Sequence, residues 1–293
     1  MTRSAEGTMQ FHAEECSSTI KFDSTAVEQR VQEPCSVEKG GNVRVSFIDV
    51  GKGDCILLQS GQSAALIDTG YDRTSNEVLS FLRERGVDHL ELLIITHYDR
   101  DHVGGVRAIG SEIAIDMVYL PAYEGVDKNY RTLMSAIETL GLPTRRIDKT
   151  LPLQLGDAHL SINPSGVTFV PDAKGDEGND NDLSLVTSLT CGADTFILTG
   201  DLEKDGIEAY LNVGYGRFDV LKVPCHGEKC SCTVEFLEDV QPQIAIITDS
   251  VDDPAAKKTL KLLAEKGIDT YRTSVDGTIV VQGDGAGNYT VSC

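Results

Sequence analysis

His97-Tyr98-Asp99-Arg100-Asp101-His102-Val103-Gly104-Gly105 sets two imidazoles and two carboxylates within six positions of one another. It follows the apolar run LELLIITH (90–97), whose near-continuous hydrophobicity suits a strand buried on both faces. A loop delivered by the end of a rigid strand is where α/β proteins concentrate their chemistry. His97 and Asp99 alternate so that both side chains can address one metal, while Asp101 and His102 are offset to reach a second. Two divalent ions about 3.5–4 Å apart can share a hydroxide, generate it at neutral pH and clamp developing negative charge, which makes hydrolysis the natural reaction. Asp101 would equally serve as a helix N-cap in a solvated loop. Against that bland reading, the chain has six histidines in all and two of them bracket this loop. Gly104 and Gly105 let the backbone pass close to the site.

Upstream, VRVSFIDVG (43–51), CILLQS (55–60) and AALIDTG (64–70) read as three short strands of an antiparallel meander with Gly-containing turns. A helix is predicted from Ser75 to Glu84, with Val78, Leu79 and Leu82 on one face, and another over DHVGGVRAIG (101–110). Downstream, SLVTSLTC (184–191), ADTFILTGD (193–201), FDVLKVPCHG (218–227) and IAIITD (244–249) are strand-like. LEKDGIEAYLN (202–212), EFLEDV (235–240) and PAAKKTLKLLAEKG (254–267) are helix-like, and TIVVQG and NYTVSC close the chain as strands. Strands with helices between them imply sheets with helices packed outside. Residues 164–182, rich in Pro, Gly, Asp and Asn, form a long loop expected to border the site.

The chain has 293 residues, 40% hydrophobic and 25% charged, enough for a sizeable core. Residues 1–42 are polar and poorly periodic and are expected to be a flexible extension; the folded domain is expected over 43–293. No apolar run approaches the roughly 18–20 residues of a membrane-spanning helix. The first 41 residues lack the basic start and apolar stretch of a secretory signal, so the cytoplasm is the default expectation and secretion stays open. The net charge of −20, from 46 acidic and 26 basic side chains, disfavours nucleic acid without forbidding it. Arg145, Arg146 and Lys149, or Lys257, Lys258 and Lys261, could form a local basic track, although each is more simply a solvated face. The eight cysteines are irregularly spaced; Cys225-x4-Cys230-x-Cys232 has metal-like density without the paired spacing of a structural zinc site.

His97-x-Asp99-x-Asp101-His102 followed by Gly104-Gly105 resembles the H-x-[HD]-x-D-H signature of the metallo-β-lactamase superfamily, with aspartate in place of the second histidine. Together with SFIDVGKGDCILLQ and ALIDTG it resembles the ComEC-like branch, hydrolase domains related to those of bacterial DNA-uptake channels. The likeness continues in order through Asn181-x-x-Ser184-Leu185-Val186, Leu198-Thr199-Gly200-Asp201, the loop from Leu221 to Gly227, and Tyr271-Arg272-Thr273-x-x-Asp276-Gly277. It covers roughly Val43 to Cys293. It implies an α/β (α+β) fold, a four-layer αββα sandwich with two metals at one edge between the sheets. It further implies that His97 and Asp99 bind the first metal, that Asp101, His102 and His226 bind the second, and that Asp201 bridges them. Asp68 matches a position that supports ligands by hydrogen bonding, and Asp54 is expected to act likewise.

Two departures stand out. Cys225 occupies the first position of a His-His pair, so the ligand role falls to His226; were Cys225 the ligand instead, its thiolate would favour zinc. The third histidine of better-known members has no counterpart, and Asn181 or Asp182 sits in its region. The implied cofactors are two divalent ions, zinc or manganese. The expected function is a dinuclear hydrolase whose metal-bound hydroxide attacks a phosphoester, a phosphodiester or nucleic acid included, with Asp101 and Asp201 catalytic and Arg272 pairing with a phosphate oxygen. The alternatives are a small-molecule ester, lactone or lactam hydrolase, and a non-catalytic metal-binding scaffold.

Overall fold

The structure is a computed structural model that describes residues 42–170 and 178–293. The extension expected over residues 1–42, apart from its last residue, lies outside the described residues. So does the middle of the expected loop, 171–177.

The first half of the chain builds one sheet from β1 (Val43–Phe47), β2 (Ile56–Ser60), β3 (Ser63–Ile67), β4 (His89–Ile94), β5 (Ala114–Pro121) and β6 (Thr144–Ile147). The second half builds another from β7 (Leu151–Leu155), β8 (Ala158–Asn163), β9 (Val186–Cys191), β10 (Asp194–Leu198), β11 (Val220–Lys222), β12 (Ile244–Ile247) and β13 (Asp269–Arg272). The last hairpin, β14 (Ile279–Gly283) and β15 (Tyr289–Ser292), returns to the first sheet and pairs antiparallel with β1. Spatial orders are therefore β15-β14-β1-β2-β3-β4-β5-β6 and β13-β12-β11-β10-β9-β8-β7. In each sheet a meander of antiparallel strands gives way to parallel ones, at β3–β4 in the first and β10–β11 in the second.

Alternation along each strand explains the four layers. Leu92 and Ile94 face the space between the sheets with Phe47, Ile67, Leu160, Phe196, Leu198 and Ile246. Leu93 and Ile95 point the other way, onto Val78, Leu79, Leu82 and Ile109 of the helices Ser75–Glu84 and Val106–Glu112. On the far side, Ile197, Leu221 and Ile247 pack under Ile207, Tyr210, Phe236 and Leu263 of three further helices. Burying one such aliphatic side chain stabilises the fold by roughly 1.5–3 kcal/mol, so strands apolar on both faces belong in the middle layers. The result is an αββα sandwich. Where the parallel strands end, Ile67 pairs with Ile94, and Leu198 with Lys222, which in turn pairs with Ile246. The chain segments leaving these five strand ends emerge side by side, the usual place for a site in such sheets.

Candidate metal centre

Each central side chain sits just past one of those strand ends. Asp68 follows β3, His97 follows β4, Asp201 follows β10, His226 follows β11 and Asp249 follows β12. Asp101 and His102 come from the short helix Arg100–Val103 after β4. The structure thus brings together all six expected ligands. The ligating atoms of His97, His102 and Asp201 lie within 4.8 Å of one another, as do those of Asp101, His102 and His226. Asp99 Oδ2 is 3.6 Å from His97 Nε2.

The histidine tautomers follow from hydrogen-bond accounting, because a threonine hydroxyl has one proton to give. Thr96 Oγ1 donates to Asp68 Oδ2 at 2.6 Å, so it accepts from His97 Nδ1 at 3.0 Å. Thr248 Oγ1 donates to Asp54 Oδ1 at 2.6 Å, so it accepts from His226 Nδ1 at 3.0 Å. His102 Nδ1 lies 2.8 Å from Asp68 Oδ2 and donates to it. All three rings are therefore held by an N–H at Nδ1 and turn Nε2 inward. Each Nε2 is buried and makes no hydrogen bond, although His226 Nε2 is 2.8 Å from Asp201 Oδ2 and His102 Nε2 is 3.4 Å from it. Once their protons leave, three Nε2 atoms converging on carboxylates are the donor set of a divalent cation, and the residues fit one.

Backbone strain concentrates here as well. Asp68, Cys225 and His226 have φ of 56°, 45° and 50°, three of the four non-glycine residues with positive φ among the described residues. Such conformations cost of order 1–3 kcal/mol each and persist where the surroundings over-determine them. At Asp68 that constraint is the pair of bonds from Thr96, whose N–H adds a contact at 2.8 Å. Gly105 is required on its own account: a Cβ there would lie 2.5 Å from the Thr69 carbonyl oxygen.

Electrostatics without a metal are those of a proton-filled cavity. Burial opposes charge on His226, but Asp201 and Asp101 outweigh it and hold its pKa up at about 9. The same competition, with Asp201, Asp68 and Asp101, raises His102 well above its ordinary value. Burial would raise Asp101, yet His102 and His226 bring it down to about 2.

Lys222 is the central residue that sequence reasoning missed. It is fully buried, with Nζ 2.7 Å from Asp54, 3.0 Å from Asp201 Oδ1 and 2.9 Å from the Gly200 carbonyl. Burial alone would strip its proton; Asp201 and Asp54 more than offset that and keep it an ammonium. The signal was a lone lysine inside the apolar strand VLKV.

The other expected residues divide between the buried cluster, which includes Asp54 beside Asp68 and His102, and its surroundings. Asp54 supports His226 through Thr248 and anchors Lys222. Cys225 turns its sulfur toward Glu203 at 3.9 Å, while burial pushes its thiol up. Asn181 donates to Glu203 at 3.0 Å, and Asp182 accepts from the N–H groups of Glu203 and Gly206 at the start of helix Lys204–Val213. Neither reaches into the cluster. The Arg272 guanidinium is held by buried Asp249 through Nε at 3.0 Å. Arg146 is engaged by the Tyr98 and Tyr130 hydroxyls.

A family model described as the metallo-beta-lactamase superfamily matches residues 48–270. ComE operon protein 3 of Bacillus subtilis (strain 168) is 30% identical over 269 residues, which are 84% of this chain and 33% of that protein. Recombination protein 2 of Haemophilus influenzae is 26% identical over 242 residues, 81% of this chain and 28% of that one. The chain thus spans about a third of the length of these curated relatives. Among solved structures, the metallo-beta-lactamase fold protein YhfI from Bacillus subtilis superposes with a TM-score of 0.56 at 12% identity, over 83% of this chain and 100% of that one, a likeness of fold.

Proposed function

Because the chain belongs to the metallo-β-lactamase superfamily, with competence-type proteins of the ComEC-like kind among its relatives, we propose that it is a dinuclear metal-dependent hydrolase that cleaves phosphoesters. The observation that carries this is the convergence of three buried Nε2 atoms without hydrogen bonds on the carboxylates of Asp99, Asp101 and Asp201. His97 and Asp99 would hold one ion, Asp101, His102 and His226 the other, with Asp201 between them. When bound, two zinc or manganese ions would acidify a water and neutralise charge on the substrate.

The chain's own groups do the rest. Lys222 fixes Asp201 from behind through Oδ1, leaving Oδ2 directed at His102 and His226. Asp101 keeps 22% of its side chain exposed, the most open carboxylate around His102 and His226, and so is placed to orient a water and pass its proton to solvent. Asp68 and Thr248 lock the imidazoles against rotation. Three ligand aspartates nearly balance two divalent ions, so an anionic phosphodiester meets no local repulsion. The relatives' names, which speak of a ComE operon and of recombination, agree with a phosphodiester substrate.

A second reading, a small-molecule ester, lactone or lactam hydrolase, draws on a mostly apolar cleft of about 390 Å³ lined by Tyr123, Ile147, Phe169, Leu183 and Leu185. The last two flank Ser184, whose hydroxyl is 3.3 Å from His97.

The test compares bis-(p-nitrophenyl) phosphate with p-nitrophenyl acetate before chelation, after it, and after re-addition of manganese or zinc. The expected result is phosphodiester cleavage that chelation removes and metal restores, and that His102→Ala and Asp201→Ala each reduce by at least about 100-fold. Metal-dependent turnover of the acetate alone would favour the second reading. Wild-type rates in either variant would remove the assignment.

A further inference from the structure

The first-metal side of the cluster is short of donors if only the expected ligands are counted. Near them lies Asp180, which no motif singles out. Its side chain is buried with 6% exposure, and Oδ1 makes no hydrogen bond. The backbone N–H of Tyr98, next to His97, donates to this carboxylate, and His97, Asp99 and His102 are all close enough to act on its charge. The segment that carries it is clamped onto the same imidazole. Just beyond the turn Asn181–Leu183, the Ser184 hydroxyl lies 3.3 Å from His97 Nδ1 and accepts the Asp201 N–H at 3.0 Å. A buried carboxylate oxygen without a donor is costly unless a cation completes it. His97 Nε2 and Asp99 Oδ1 on the same side are likewise buried and without hydrogen bonds.

We propose that Asp180 is a ligand of the first metal ion, completing a set with His97, Asp99 and the bridging Asp201. This rests on the dinuclear reading above and deepens it, because it makes the two sites chemically unlike. The first then has one imidazole and three carboxylates. The second, with His102, His226, Asp101 and Asp201, has two imidazoles and two carboxylates. Carboxylate-rich sites suit harder ions such as manganese, whereas imidazole donors suit zinc. The first site therefore prefers manganese and the second zinc.

Metal-free wild type, Asp180→Ala, Asp180→Asn and Asp180→His are titrated with Mn²⁺ alone and Zn²⁺ alone. Bound ions are counted by elemental analysis after gel filtration, Mn²⁺ is followed by electron paramagnetic resonance, and circular dichroism checks the fold. Wild type is expected to take two ions. Asp180→Ala is expected to keep one and to bind the other Mn²⁺ at least about tenfold more weakly, a ligand mattering no less than a supporting partner. Asp180→Asn, nearly isosteric, keeps the test valid should the alanine variant fail to fold, and is expected to bind as the alanine variant does. Asp180→His is expected to recover the second ion as Zn²⁺ rather than Mn²⁺. Two Mn²⁺ ions at wild-type affinity in the alanine or asparagine variant would overturn the role of Asp180 and leave the dinuclear reading intact. Fewer than two ions of either metal in wild type would overturn both.

Discussion

At the scale of single residues, the three inward-turned imidazoles are held by groups outside the proposed ligand set. Asp68 accepts from Thr96 N, Thr96 Oγ1 and His102 Nδ1, so one carboxylate sets the orientation of His102 directly and of His97 through the threonine. Asp68→Asn is the cleanest probe, because asparagine tolerates the left-handed backbone at this position while losing the charge. It is expected to weaken zinc binding by about 10–100-fold in competition with a chromophoric chelator. Unchanged affinity would mean that the imidazoles are positioned by packing alone. The residues expected as ligands, and Asp68 and Asp54 expected behind them, could be named because they fall in dense, spaced motifs, whereas other groups behind them could not. Lys222, Thr96 and Thr248 acquire meaning only from partners 21 to 194 positions away, and nothing local marks such pairs. Asp180, the ligand proposed above, carries no local mark, since it stands in a loop full of similar Asp and Asn residues. Asn181 and Asp182, which sit in the region of the missing third histidine, bond to the start of the helix Lys204–Val213.

At the scale of elements, what matters is how closely the loop after β3 and the helices after β4 approach. The Thr69 N–H and hydroxyl both donate to the His102 carbonyl, at 2.7 and 2.9 Å, and the Gly105 N–H donates back to the Thr69 hydroxyl at 3.1 Å. Gly105→Ala would drive a Cβ to 2.5 Å from the Thr69 carbonyl oxygen and force these segments apart. The expected outcome is a loss of about 1–3 kcal/mol in chemical denaturation, as for overpacked interiors, together with weakened metal uptake. A variant with unaltered stability and metal binding would show that the approach has slack. Of the central strands, β3, β4, β10 and β12 were legible from their apolar runs, while β5 and β8, in the interior of their sheets, were passed over. A reading by hydrophobic pattern passes over β6 and β7 at the sheet edges. Their sequences TRRI and LPLQL alternate polar and exposed positions, and β7 carries a proline that only an edge position tolerates comfortably. The helix Lys128–Leu140 escaped for a similar reason, its buried face amounting to Leu133, Ala136 and Ile137.

At the scale of the molecule, a chain of net charge −20 gathers its candidate metal centre among aspartates, whose charge divalent ions would offset. Among the described residues no helix is long and apolar enough to cross a membrane. Without metal, protons take the cation's part: His226 titrates at about 9 instead of 6.5, and His102 and His97 are raised as well. An entering ion must displace those protons, so apparent affinity rises with pH through the range in which His226 and His102 lose them. The measurement that bears most directly on the central claim is therefore calorimetric titration of metal-free protein with manganese and zinc at pH 6.5 and 9, in buffers of different ionisation enthalpy. The account predicts two ions per chain, with protons released at the lower pH and fewer released, at higher affinity, at the upper one. No uptake at either pH, or uptake without proton release at pH 6.5, would contradict it.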